Sequence, residues 1–202
     1  MKKTTLFTLV SGMALALMLV GCAKPPQQEL EAAQAALTAA VDAEADIYST
    51  DYYLAAQDSF ETAQMEIEAQ GAKSSFSRNY DHAKTLLQYA TQTAQTATEE
   101  VADRKEEVRV EADRLITEAQ DAVMTAQDLL GKAPSGKEGA IALVSIQDGI
   151  NGASTSLDSA LTAQAMGKYA QARDLAQSAF NQASGLVNEM NQAIAKTQPP
   201  RS

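Results

Sequence analysis

The chain has 202 residues, 16 lysines and arginines against 26 aspartates and glutamates, a net charge of −10, no tryptophan and one cysteine. One cysteine excludes an internal disulfide framework, and so acidic a chain repels nucleic acid and anionic lipid head groups, so neither is an expected partner. Alanine, glutamine, glutamate and threonine dominate; alanine is the best helix former but buries little area, so a thin core between close helices is expected.

In chain order, Lys2 and Lys3 precede an apolar run from Leu6 to Val20. That run falls short of the ~20 apolar residues that span a bilayer and has the layout of a secretory signal. It closes on Leu19-Val20-Gly21-Cys22, which resembles the lipobox of bacterial lipoproteins. The resemblance implies cleavage between Gly21 and Cys22 and fatty acylation of Cys22, palmitate included. It also implies that Ala23, where aspartate would favour inner-membrane retention, directs the chain to the outer membrane with its body facing the periplasm. The mature chain then begins at Cys22, and losing Lys2 and Lys3 leaves 14 basic residues against 26 acidic, a net charge of −12. Each buried lipid CH₂ contributes ~0.8 kcal/mol, so several acyl chains make a durable anchor and also cap a lone thiol. Residues 1–21 are thus read as signal peptide and 22–28, with Pro25 and Pro26, as the anchor and a stiff spacer.

From Glu29 apolar residues recur at helical spacing: Leu30, Ala33, Leu37, Val41, Ala45 and Tyr48. The periodicity predicts a first helix over residues 28–48, and Ser49-Thr50-Asp51 offer capping side chains for a second that carries Ala56, Phe60, Ala63 and Ile67 to about Gln70. One unbroken helix through residue 50 is the alternative. Gly71 to Ser77 reads as a turn with a glycine C-cap. A long pattern follows over 78–130, with no glycine or proline inside it; Ala83, Leu87, Ala90, Ala94, Ala97, Val101, Val108, Ala112, Leu115, Ala119, Val123, Ala126 and Leu130 mark its apolar seam. At 1.5 Å per residue it would run roughly 80 Å. Its middle, Glu99 to Glu118, mixes both charges, with Glu100–Arg104, Arg109–Asp113 and Arg114–Glu118 at i,i+4; it is read as a solvated waist between two bundled halves. After a break over 131–139 containing Pro134, a fourth helix would face inward through Ile141, Val144, Ile150, Ala153, Leu157 and Leu161, weakened by Gly149 and Gly152. Gly167 marks a turn, and a fifth helix runs over 168–195 before Pro199 and Pro200.

Tyr80-Asp81-His82-Ala83-Lys84 is echoed by Tyr169-Ala170-Gln171-Ala172-Arg173: tyrosine, alanine three residues on, then a basic residue. Each copy follows a shorter helix, which suggests two hairpin units. Gly167-Lys168-Tyr169-Ala170-Gln171-Ala172 fits G-x-Y-x-x-A and is similar to a hairpin signature of an uncharacterised family of alanine-rich bacterial lipoprotein domains. The first copy departs from it, with Arg78 where the glycine stands. This resemblance implies architecture and address but no activity. Each copy also resembles one hairpin of a tetratricopeptide repeat, without that family's 34-residue tandem period.

Residues that could carry chemistry are few. Gly131-Lys132-Ala133-Pro134-Ser135-Gly136-Lys137 fits a phosphate-loop spacing, but Glu138 stands where magnesium needs serine or threonine and no strand precedes it, so no nucleotide is expected. His82, the only histidine, lacks companion ligands for a metal, and no cofactor or catalytic residue is assigned. Seven of the nine aromatic residues after Cys22 (Tyr48, Tyr52, Tyr53, Phe60, Phe76, Tyr80 and Tyr89) fall in the first hairpin. They are read first as plugs for gaps that alanine leaves. Tyr53, Phe60 and Tyr80 are the candidate anchors for a partner helix, peptide or glycan, since tyrosine joins apolar area to a hydrogen-bonding tip.

The expected fold is all-α: an elongated, antiparallel, coiled-coil-like bundle with two helical-hairpin units over 29–131 and 132–198 that share one long central helix. The expected function is a non-catalytic, lipid-anchored structural or adaptor protein of the cell envelope, working through contacts with an envelope protein or a second copy. A peptide- or glycan-binding module is the alternative.

Overall fold

A computed structural model describes residues 23–133 and 139–197; these form six helices and no strand, an all-α helical bundle fold. The helices are α1 (Gln27–Asp42), α2 (Ala45–Tyr48), α3 (Thr50–Gly71), α4 (Asp81–Lys132), α5 (Gly139–Ala165) and α6 (Tyr169–Thr197). The signal segment with Gly21 and Cys22, the break at 134–138 with its phosphate-loop spacing, and Pro199 and Pro200 lie outside the described residues. The chain divides into two compact units between Val101 and Ala102, inside α4 and inside its charged stretch.

In the first unit α1, α3 and the start of α4 run antiparallel in turn. Ala33, Ala63, Leu87 and Ala90 form the buried cluster, flanked by Leu30, Phe60, Ile67 and Leu86. Three predicted features of its first fifty residues need correction. The first helix does not reach residue 48: it stops at Asp42, and Glu44 takes a left-handed backbone (φ 67°, ψ 25°) before the short α2. An L-residue there crowds its own Cβ, so this corner carries local strain. Glu44 carbonyl oxygen accepts from the amides of Ile47 at 3.1 Å and Tyr48 at 3.0 Å, which holds the corner closed. Val41 is 44% exposed, while Ala40 takes the inward position. Ser49 precedes α3 without capping it, and Thr50 Oγ1 donates backwards to the carbonyls of Asp46 (2.9 Å) and Ile47 (3.2 Å).

Two hairpin turns solve the same problem by different chemistry. The last carbonyls of a helix lack partners within it. At the end of α3, Gly71 lies inside the helix and provides no left-handed cap. Arg78 reaches back instead: Nε donates to the Lys73 carbonyl at 3.0 Å and Nη2 to the Gly71 carbonyl at 2.9 Å. Buried Gln70 completes the turn, its Oε1 accepting from the Asn79 amide at 3.0 Å. At the end of α5, Gly167 adopts φ +75°, the Lys168 amide donates to the Ala163 carbonyl at 2.9 Å, and the Gly167 amide donates to the Gln164 carbonyl at 3.0 Å. That is the Schellman arrangement, which a residue with a Cβ fills only under strain. So the echo aligns across both units in its tyrosines and in Ala83 and Ala172, each alanine fully buried, while Arg78 substitutes for the glycine.

The second unit packs the later part of α4 against α5 and α6 in layers. Ala112, Ala163 and Ala172 lie nearest the α5–α6 turn. The middle layer draws Leu115, Ile116, Ala119 and Val123 from α4, Ala153, Leu157 and Ala160 from α5, and Ala176, Ala179 and Ala183 from α6. The far layer joins Ala126, Ile146, Ile150 and Met190. The inner stripe of α5 is therefore Ile146, Ile150, Ala153, Leu157 and Ala160; Val144 (62%) and Leu161 (40%), predicted inward, are exposed, and the side chain of Ile141 is outside the described set.

Along α4 the buried residues alternate steps of three and four from Ala83 to Val101, and do so again from Ala112. No residue of 102–111 is buried. The seven from Val101 to Val108 is followed by a further four to Ala112, so one extra four-residue step is inserted, the pattern that locally unwinds a coiled-coil seam.

Candidate functional site

The aromatic residues do not gather on one surface. Tyr80 is 3% exposed and closes the α3–α4 end of the first unit, whereas Tyr53 sits in the first turn of α3. From Tyr53 to Gln70, beside the start of α4, the helix rises about 26 Å. Phe60 lies between them, half-buried against the alanine cluster. Tyr48 is 7% exposed, Tyr52 is half-buried, and Tyr89 (52%) and Phe76 (99%) face outward. A chain that folds back on itself separates residues that composition had grouped. Tyr80 is thus buried, while Tyr53 and Phe60 are both half-buried on α3.

The corner between α1 and α3 offers a different set. Val41 (44%), Ile47 (51%) and Leu54 (55%) are large apolar residues exposed on three successive helices around strained Glu44. Leu54 also borders a shallow depression with Ala55, Gln57, Asp58 and Glu61. Sequence periodicity missed this because it assigned Val41 inward and ran one helix through the corner.

At the opposite end, Ala23 and Lys24 line a depression with Arg78, Asn79, Tyr80, Asp81 and Lys84. The entering chain therefore lies against the α3–α4 turn.

The charged stretch of α4 is organised by Arg109. Its guanidinium donates to both Glu106 oxygens, at 2.6 and 2.7 Å, and to Asp113 at 2.7 Å. The hydrogen bonds from Arg109 hold the Glu106 carboxyl below its ordinary range, and the bonds to Glu106 make Arg109 harder to deprotonate. Arg114 pairs with Glu118 at 2.6 Å, as the i,i+4 spacing predicted. Asp113 also accepts from Gln164 of α5. These pairs are solvent-exposed and contribute little to stability. The stretch is a solvated helix face.

His82 is exposed in the first turn of α4. Among the described residues no three His, Cys, Asp or Glu side chains converge as metal ligands, and no helix is long and apolar enough to cross a membrane. Comparison of the chain with protein-family models, curated proteins and solved structures finds no match.

Proposed function

We propose that this protein is a lipid-anchored, non-catalytic adaptor of the bacterial cell envelope, tethered through Cys22 and acting through helix-mediated contacts with an envelope protein. The observation that carries the reading is the order of Lys2-Lys3, the apolar run Leu6 to Val20, and Leu19-Val20-Gly21-Cys22. Ala23 after the cysteine favours the outer membrane, facing the periplasm, in a cell that has one.

Two features support the adaptor role. The cores are built from small side chains on long helices, a scaffold whose surface depressions are shallow and lined by helix side chains. The corner with Val41, Ile47 and Leu54 presents apolar area at the end of the first unit away from Ala23, where a tethered adaptor would offer it. The peptide- or glycan-binding alternative loses its main support, because Tyr53, Phe60 and Tyr80 do not converge.

The test is the intact mass of the mature chain extracted from membranes of its producing cells. The expected chain starts at Cys22 and carries the mass of its acyl groups, while Cys22→Ser leaves an unprocessed precursor. A mature chain with a free thiol would remove the anchor and the function built on it.

A further inference from the structure

We propose that the groove between α4 and α6 of the second unit is a docking site for a basic amphipathic helix of a partner protein. The proposal rests on the adaptor reading above and names the chemistry of the segment that the adaptor holds.

The groove exists because α4 and α6 lie side by side and point the same way. Ala112 shares a layer with Ala172, Ala119 with Ala179 and Ala183, and Ala126 with Met190, so both helices climb through the layers together. Between them runs an open trough of about 380 Å³. Ala122 of α4 and Phe180 and Val187 of α6 give it an apolar floor, each half-buried against the core layers. Glu118 and Asp121 stand on its α4 wall and Asn188 on its α6 wall. From Phe180 to Asn188 the wall rises about 12 Å, roughly two turns of a further helix laid along the pair. An apolar floor between two helices is the seat of the helix-in-groove mode of recognition.

Charge names the occupant. Residues 115–131 of α4, 139–165 of α5 and 174–195 of α6 hold seven carboxylates and no lysine, arginine or histidine. Five described bases lie at the ends of those spans. Three are engaged: Arg114 with Glu118, Lys132 with Asp128 and Arg173 with Asp174. Lys168 is about 18 Å before Phe180 along the chain's helical rise, and Lys196 about 12 Å beyond Asn188. Asp121 on the groove wall and Glu189 next to Asn188 make no ion pair among the described residues. A helix whose apolar stripe covers Phe180 and Val187, with lysine or arginine flanking that stripe, answers both the floor and the carboxylates. No described helix of this chain carries more bases than acids, so a second copy supplies no such helix.

The chain lacks tryptophan, so Phe180→Trp places a single indole in the groove, and Tyr89→Trp places one on the exposed surface of the more acidic first unit. Each full-length mature protein, in nonionic detergent, is titrated with three synthetic peptides. One is a helix with a leucine face flanked by lysine, the second has glutamate in place of lysine, and the third scrambles the first so that no apolar face forms. The lysine peptide should shift the Phe180→Trp emission to the blue, saturably, and leave Tyr89→Trp unchanged. The other two should move neither reporter. Asp121→Lys, at an exposed position outside the core, should weaken the lysine peptide about fivefold or more. Calorimetric titration of the unsubstituted protein should rank the peptides in the same order. No shift at Phe180→Trp, an equal shift at Tyr89→Trp or with the scramble, or indifference to Asp121→Lys overturns the proposal. A blue shift that grows with protein concentration before peptide is added puts a second copy in the groove and overturns it too. Intact mass separates the two readings. Acylated Cys22 with an unresponsive groove defeats the docking site alone, and a responsive groove with a free thiol at Cys22 defeats the anchor alone.

Discussion

Ser49 stands where a cap residue is expected, yet its side chain is turned inward and fully buried. Its hydroxyl finds no hydrogen-bond partner among the described residues, and it makes no cap bond to α3. The two readings of this residue differ in sign. A serine N-cap loses about 1 kcal/mol on replacement by alanine. A buried hydroxyl without a partner costs about 1–3 kcal/mol to keep there. Ser49→Ala is therefore expected to raise stability by about 1 kcal/mol, because alanine fills nearly the same space. A urea titration followed by circular dichroism decides it. An upward shift of the midpoint fits the buried hydroxyl, and a downward shift restores the cap. Arg78 carries the complementary lesson: the sequence marks it only as a departure from glycine, and its role as a cap emerges once its guanidinium is seen on the Gly71 and Lys73 carbonyls.

At the scale of helices, much was legible and some was not, for reasons that trace to particular residues. The seam of α4 could be read because alanine, leucine and valine recur every three or four residues and no glycine or proline intervenes. The second hairpin turn was legible because Gly167 takes the one conformation glycine supplies cheaply. The corner at Glu44 was not, because a left-handed glutamate leaves no signature in composition. On α5, Val144 and Leu161 misled because hydrophobicity alone does not fix which of two adjacent stripes faces inward. The glycines of α5 and α6 divide in a way only packing reveals. A Cβ on Gly149 would stand 3.0 Å from Leu186 Cδ1 and 3.2 Å from Cδ2, whereas one on Gly185 would meet nothing within 4 Å. Gly185→Ala is thus expected to stabilise by roughly 0.5–1 kcal/mol through helix propensity. Gly149→Ala should lose that gain to crowding and fall about 1 kcal/mol below it. Thermal unfolding of the two variants side by side provides the measurement. Equal stabilisation would show that Leu186 yields freely and that Gly149 has no packing role.

For the whole molecule, what governs the thermodynamics is the kind of residue buried in the two units. Among the described residues, nineteen of the thirty buried apolar residues are alanine, and Leu87, Ile150 and Met190 are the largest apolar ones to be almost wholly enclosed. An alanine brings one methyl group to the core, where a fully buried leucine contributes about 1.5–3 kcal/mol. Close helix approach and backbone hydrogen bonding must therefore carry a larger share of stability than in a leucine-rich bundle. Heat capacity reports this directly, since apolar exposure raises it and polar exposure lowers it. Unfolding the mature protein should give a heat-capacity increment clearly below the ~12–15 cal/mol/K per residue of ordinary domains. Its stability curve should accordingly be flat, with little change over the physiological range. Differential scanning calorimetry at several pH values yields the increment from the slope of enthalpy against melting temperature. A value at or above the ordinary range would mean that much more apolar area leaves water than the alanine seams account for, and would point to burial between copies of the chain.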